Sequence, residues 1–283
     1  MRRLILAILT VALAIVVGAA AWRYLAAEDQ VARLVLADVH GAVSVAHLGG
    51  TATEVAAGTA LSPGDQVETG AEARATLQLS PGTRIKLGPT SSVAVRSVDR
   101  EGVQLELEHG LLQATVRPES GAIRVGSRGR EVVSTRGEFQ VGVNDDVLRV
   151  ATQSGEVSLV GVEPPIVIGA GDQVTVVGRA ARAEPIPASV VLAVAWPPPD
   201  HRTRAETQTV EGTTDPGAEV TLEGPFGRRV VRADRTGHFR AEVPLAEGNN
   251  ALTVVARDLL GREVESRGAL PTRDTTGPTV RSE

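Results

Sequence analysis

From Leu61 to Val95 the chain alternates apolar and polar side chains with a period of two. Ala75, Leu77 and Leu79 interleave with Thr76, Gln78 and Ser80, and Ile85 and Leu87 interleave with Arg84 and Lys86. A period of two places one set of side chains on each face of a strand, so each strand buries one face and wets the other. Between the two runs stands Ser80-Pro81-Gly82-Thr83. Pro81 presets a negative φ and Gly82 tolerates a positive one, which predicts a tight turn and a β-hairpin.

The same signature extends in both directions. Strands are expected at 33–39, 41–47, 66–69, 74–79, 84–87, 92–98, 103–107, 111–116, 123–125, 132–134, 138–143, 147–152, 155–160 and 173–177, cut by Gly-containing turns. No run of helical period interrupts them, so residues 33–179 read as an all-β sandwich or roll. An internal echo joins its ends. Gly41–Val45 is followed by Gly64-Asp65-Gln66-Val67, and Gly155–Leu159 by Gly171-Asp172-Gln173-Val174. Shared turn chemistry accounts for the phrase, Gly-Asp being well suited to a strand entry; pseudo-symmetry is the other explanation.

Residues 180–200 change character. Pro185, Pro187 and Pro197–Pro199 disfavour central strands and predict a stiff spacer. The apolar stretch Ser189–Trp196 inside it suits a strand docking onto either neighbour, being far too short to cross a membrane. A polyproline ligand reading of Trp196–Asp200 stands beside the plain-spacer reading. From 201 to 271 a second alternating pattern appears: Val220 and Leu222, then Phe239, Ala241, Val243 and Leu245, then Leu252, Val254 and Ala256. Turn signals at Asp215-Pro216-Gly217, Asp234–Gly237, Glu247–Asn250 and Asp258–Gly261 separate them, predicting a small immunoglobulin-like sandwich. Residues 272–283 read as a flexible tail.

Ahead of both patterns, residues 4–22 carry no charge and only Thr10 as a polar interruption. Such a run is just long enough to cross a hydrocarbon core of about 30 Å. Arg2 and Arg3 before it place the N-terminus in the cytoplasm, leaving residues 1–3 as a cytoplasmic tip, and Trp22 and Tyr24 fall where aromatics favour the interface. The expectation is an uncleaved single-pass membrane anchor, with the bulk of the chain extracytoplasmic. A signal peptide cleaved near Ala19–Ala21 or Leu25–Ala27 is the alternative.

Composition then narrows the chemistry. With 283 residues, 42% hydrophobic and 22% charged, there is material for two packed domains. A net charge of −5 steers away from nucleic acid. Aromatics are 2%, so the cores rest on aliphatic side chains, and there is no cysteine, which removes disulfides, thiolate metal sites and Cys nucleophiles. The five histidines (His40, His47, His109, His201, His238) are scattered without metal-ligand spacing. Asn144-Asp145-Asp146 reads as a hairpin turn rather than a Ca²⁺ loop. Asp215, Asp234 and Asp258 could converge at one end of the second sandwich as a Ca²⁺ site, or each serve its own turn. Arg124, Arg128, Arg130 and Arg136 form a local basic cluster, a candidate for phosphate or an acidic polymer and otherwise a solvated strand face. No catalytic, cofactor or metal constellation emerges, and a non-enzyme is expected.

Several phrases carry a family resemblance. Gly58-x-x-Leu61-x-x-Gly64-Asp65-x-Val67-x-Thr69-Gly70, Ala75-x-Leu77-x-Leu79-x-x-Gly82-Thr83-x-Ile85-x-Leu87, Gly110-Leu111-Leu112 and Phe139-x-Val141-x-Val143 together resemble the FecR-type domain. The Gly155-x-Val157 and Ala170–Gln173 phrases fit its closing part. The resemblance implies a bacterial, extracytoplasmic, β-rich protein. The founding type relays an iron–siderophore signal across the inner membrane to a sigma factor, through a cytoplasmic anti-sigma portion preceding its membrane helix. Val210-Glu211-Gly212, Pro216-Gly217-Ala218-x-Val220, Gly237-x-Phe239, Val243-Pro244-Leu245-x-x-Gly248-x-Asn250 and Ala256-x-Asp258 resemble bacterial Ig-like modules of the glucodextranase domain B type, which carry no catalysis. Two functional expectations follow. One is a non-catalytic, membrane-anchored binding or scaffolding arm that meets another envelope or inner-membrane protein. The other is a FecR-like transducer whose partner supplies the cytoplasmic output.

Overall fold

The computed structural model describes residues 33–48, 50–79, 82–198 and 201–275. The expected membrane segment at 4–22 and the hairpin residues Ser80 and Pro81 lie outside them. The described chain is nearly all β, with 66% strand, and Pro118–Ser120 is its one helical turn. Among the described residues no helix is long and apolar enough to cross a membrane.

The first unit runs through β1 (Leu34–His40), β2 (Val43–Ala46), β3 (Thr53–Glu54), β4 (Ala60–Leu61), β5 (Gln66–Thr69), β6 (Arg74–Leu79), β7 (Thr83–Leu87), β8 (Ser92–Asp99) and β9 (Gly102–Val116). It continues with β10 (Ala122–Ser127), β11 (Arg130–Ser134), β12 (Gly137–Asn144), β13 (Val147–Val160), β14 (Ile166–Gly169), β15 (Asp172–Val177) and β16 (Ala180–Pro185). The strands form two layers. Sheet I has the order β16-β15-β13-β12-β9-β7-β6-β1-β4, and sheet II the order β3-β2-β5-β8-β9-β10-β11-β13-β14. The predicted hairpin is β6–β7, with Leu77 opposite Ile85 and alternating burial on both strands.

The two layers are stitched together by strands that belong to both. The sequence pattern suggests separate strands at 103–107 and 111–116, and again at 147–152 and 155–160. Each pair is instead one continuous bent strand. The first half of β9 pairs with β8 and β10 in sheet II, and its second half with β7 and β12 in sheet I. Its bend falls at Gly110, where φ is +100° and a Cβ would lie 2.2 Å from the Ser91 Oγ. Only glycine fits that bend. β13 passes in the opposite sense, from β12 and β15 in sheet I to β11 and β14 in sheet II. The Gly-Asp-Gln-Val echo divides accordingly, its first copy in β5 of sheet II and its second in β15 of sheet I. Between the layers Leu77, Ile85, Leu112 and Phe139 meet Val67, Leu105, Ile123 and Leu159 in one apolar core.

The second unit comprises β17 (Leu192–Val194), β18 (Arg202–Thr203), β19 (Thr207–Thr214), β20 (Glu219–Gly224), β21 (Gly227–Arg232), β22 (His238–Pro244), β23 (Gly248–Arg257) and β24 (Glu263–Arg273). A three-stranded sheet, β17-β19-β22, and a five-stranded sheet, β18-β24-β23-β20-β21, enclose a core built on Val210, Phe239, Val243, Val220, Leu222 and Val254.

The stretch expected as a spacer is shared out between the units. Residues 180–185 form β16 and extend sheet I at its edge, with Pro185 at the strand end where a missing N–H is tolerated. Leu192–Val194 pairs with β19 of the second unit. Likewise the expected tail starts later than residue 272, because Thr272 and Arg273 pair with β18 and the Thr275 amide donates to the Glu247 Oε1 at 2.9 Å.

Candidate functional site

The segment Val147-Leu148-Arg149-Val150-Ala151-Thr152 is buried at every position. A strand of a two-layer sheet has one face for the core, so burial of both faces means something covers sheet I from outside. The cover is the second unit. Its turn at 258–261 presses Leu259 against Gly142, where a Cβ would sit 2.2 Å from the Leu259 carbonyl oxygen. Its turn at 215–217 brings the Gly217 carbonyl to the Asn144 amide, which donates to it at 2.7 Å.

At the centre of this junction lies Arg149, its side chain only 2% exposed. Its Nε donates to the Thr175 Oγ1 at 3.1 Å within the same sheet. The remaining nitrogens reach across: Nη1 donates to the Asp258 Oδ2 at 3.4 Å, and Nη2 pairs with the Asp215 Oδ1 at 3.4 Å. Asp258 is fully buried and also accepts the Arg262 Nε at 2.8 Å, together with the Leu260 and Arg262 amides at 3.0 and 2.8 Å. Arg262 in turn donates from Nη1 to the Pro187 carbonyl at 2.8 Å, tying down the connection between the units. Buried charges persist only when paired and hydrogen-bonded, and here the pairing spans two domains.

Two of the three aspartates weighed as a calcium site thus do converge, but the cation between Asp215 and Asp258 is the Arg149 guanidinium. Asp234 stays in its own turn, accepting from the Thr236 hydroxyl and from the Thr236 and His238 amides. Those donors, the Thr236 hydroxyl foremost, hold its carboxyl below its ordinary value of 3.8. A folded pKa below the unfolded one means the contribution is present at neutral pH and lost as pH falls through the folded value. An NMR titration of the Asp234 carboxyl is expected to find this depression and to see it shrink in Thr236→Val. Among the described residues no group of three or more His, Asp or Glu is placed to hold a metal.

Asn144–Val147 closes the β12–β13 hairpin, with Asp145 at φ +46°, a conformation that Asp tolerates. Asp146 there meets Arg128 at 3.6 Å and Arg235 of the second unit at 3.3 Å. The four arginines considered as a basic cluster are engaged separately. Arg124 pairs with Glu131 at 3.6 Å, Arg128 with Asp146, and Arg130 donates to the Gly178 carbonyl. Arg136 is exposed beside a depression of about 460 Å³ lined by Ser134, Glu156 and Ser158.

The docked units leave a cleft of about 1060 Å³ beside the junction. Its floor is the outer face of sheet I, with Arg74, Lys86 and Leu111; its wall is the outer face of the five-stranded sheet, with Arg228, Val230 and Arg232 of the edge strand β21 beside Glu219, Arg257 and Glu263; the Leu259–Gly261 turn closes one end. A pattern reading locates none of this, since Arg74, Lys86 and Arg228 each look like an ordinary wet-face residue. The one signal available was Arg149, a charge inside the otherwise apolar run Val147–Ala151.

The junction gives a direct test. Gly142 lies in β12 without a positive φ, so Gly142→Leu asks for no unusual backbone, and the nearest atoms its Cβ meets are those of the Leu259 turn. It is expected to undock the second unit at about 1–3 kcal/mol of overpacking, while the first unit stays folded. Hydrogen exchange at Leu260 and Arg262 rising with no change in β6–β9 would show it; unchanged protection there would sink the idea.

Compared with known proteins, the chain matches the family described as FecR protein over residues 65–158, from the start of β5 to the sheet II half of β13. Two crystal structures of a protein described as a candidate anti-sigma factor from Parabacteroides distasonis ATCC 8503 are 18% and 17% identical to it, each with a TM-score of 0.39. Each match covers 42% of this chain and 59% of that one, so it spans less than two thirds of the solved protein. No curated protein matches the chain.

Proposed function

We propose that this chain is a FecR-like regulatory protein that does no chemistry itself and works by binding a protein partner. The observation that carries the reading is the FecR match over residues 65–158, which falls on the strands that build both layers of the first unit. In this reading residues 4–22 hold the chain in the inner membrane, the two β units lie on the extracytoplasmic side, and the partner carries the signal onward. The second unit serves as an Ig-like arm fixed on the first. Its clamping through Arg149, Asp215 and Asp258 supports a rigid recognition surface rather than two modules swinging independently. A plain scaffolding arm shares the partner and the anchor but leaves the FecR match without a role.

The test is crosslinking of the full chain in intact cells, followed by membrane extraction and mass spectrometry of the partner and of the chain's own N-terminal peptide. A dominant membrane partner that has a cytoplasmic regulatory domain, recovered with residues 1–3 still attached, supports the proposal. A dominant partner without such a domain favours the scaffold. A soluble mature form starting near Glu28, with no protein partner, overturns both.

A further inference from the structure

Strand β21, Gly227-Arg228-Arg229-Val230-Val231-Arg232, is the outermost strand of its sheet; among the described residues it pairs only with β20, and its Arg229 donates to the Glu242 carbonyl of β22. Every residue but Val231 is exposed, including the apolar Val230 at 47%. A free edge of this kind presents a row of backbone donors and acceptors that a further strand can take up. Folded proteins blunt such edges with charge; here Arg228 and Arg232 do so on the cleft side, while Arg229 is held by the Glu242 carbonyl. A second copy of β21 would set arginine beside arginine, which is unfavourable directly across a strand pair. The edge excludes itself and selects for carboxylates.

The first unit faces the same space with the same charge. Arg74 and Lys86 on the cleft floor are exposed and, like Arg232, have no ion pair among the described residues; Arg228 has only a 3.9 Å contact to Glu223. Arg257 is neutralised by Glu263. Glu72 and Glu219 also line the cleft, so an occupant's acidic side chains must point at the arginines of the wall and at the Arg74–Lys86 pair rather than coat the whole surface. A structureless anion gains only from the charges. An extended peptide gains from the charges, the exposed Val230 and the open backbone edge together.

We propose that the cleft takes an extended acidic segment of a protein partner, about six residues spanning about 20 Å, added to β21 as a further strand. Its carboxylates face Arg228 and Arg232 on one side and Arg74 and Lys86 on the other. The inference rests on the partner-dependent reading above, and it names the surface that the partner grips.

The probe is an acetylated eight-residue peptide of alternating Glu and Thr, titrated against the detergent-solubilised full chain by fluorescence anisotropy. Binding is expected, together with slowed hydrogen exchange in residues 227–232. The double variants Arg228→Glu/Arg232→Glu and Arg74→Glu/Lys86→Glu are each expected to weaken it about tenfold or more, and raised salt should weaken it further. All four side chains are exposed, so unchanged urea midpoints will show that the variants fold. Three results overturn the proposal: no binding, equal binding by the charge-reversed chains, or equal binding by a backbone N-methylated peptide or by dextran sulfate, which would mean adsorption by charge alone. The two proposals fail separately. If charge-reversed chains still crosslink their partner in cells, partner-dependent regulation stands and the cleft is not its site. If the peptide binds as expected but no membrane partner is recovered, the cleft stands and the regulatory reading falls.

Discussion

Replacing Asp258 by Ala is expected to cost about 3–5 kcal/mol of stability, the scale for removing one partner from a buried ion pair. The substitution strands the Arg149 guanidinium in a site with 2% exposure, leaving it only the Asp215 carboxylate at 3.4 Å and the Thr175 hydroxyl. It also takes the acceptor from the Leu260 and Arg262 amides, so the 258–262 turn loses the side chain that shapes it. Asp258→Asn keeps an acceptor for those amides and removes only the charge, and it should lose less. Urea unfolding followed by circular dichroism measures both. The wild type is expected to unfold in one transition and Asp258→Ala in two, as each unit is left to its own core. A single transition within about 1 kcal/mol of wild type would mean that the junction does not bind the units together. Undocking also takes Arg74 and Lys86 away from β21, so Asp258→Ala should weaken peptide binding about as much as Arg74→Glu/Lys86→Glu, without touching any residue proposed to contact the peptide.

Phe139→Ala should be as damaging, for a different reason. Phe139 is fully buried on β12, beside Ala114 of β9 and Thr152 of β13, the two strands that run through both layers. Truncating it removes the largest apolar side chain of the first core at the place where the layers are joined, at a cost of about 3–5 kcal/mol. Hydrogen exchange should locate the loss in β9, β12 and β13, while β20 and β23 keep their protection from the separate core around Phe239 and Val254. A loss below about 1 kcal/mol would contradict close packing at that point.

These two residues stand at opposite ends of what could be read in advance. Phe139, Val141 and Val143 alternate with polar neighbours and declare a strand with one buried face. The same holds for the β6–β7 hairpin and for the alternating runs of the second unit. Such patterns follow from geometry local to a few residues, since successive side chains leave a strand on opposite faces. The turn at Asn144–Asp146 was equally legible, because Asn and Asp tolerate the backbone that a tight hairpin demands.

The bends of β9 and β13 were not legible, because a strand that changes sheets keeps its alternation and only its neighbours change. Nor was the fate of residues 180–185, or which neighbour the expected docking strand at Leu192–Val194 would join: whether a proline-bounded segment is spacer or edge strand depends on whether a neighbouring strand has a free edge to offer. Arg124, Arg128, Arg130 and Arg136 are close in sequence, yet in space they answer to Glu131, Asp146, the Gly178 carbonyl and solvent.

By itself, then, the order of residues determined the all-β class of structure, most of the strands and the absence of any cysteine chemistry. Only the tertiary structure decided that Asp215 and Asp258 close on Arg149, that sheet I is covered on its outer face, and that Arg74, Lys86, Arg228 and Arg232 border one cleft. The reason is physical. Alternation and turn chemistry act over two to four residues, whereas a buried charge network joins groups 66 to 109 positions apart, and nothing in the local pattern of either segment records which one it will meet.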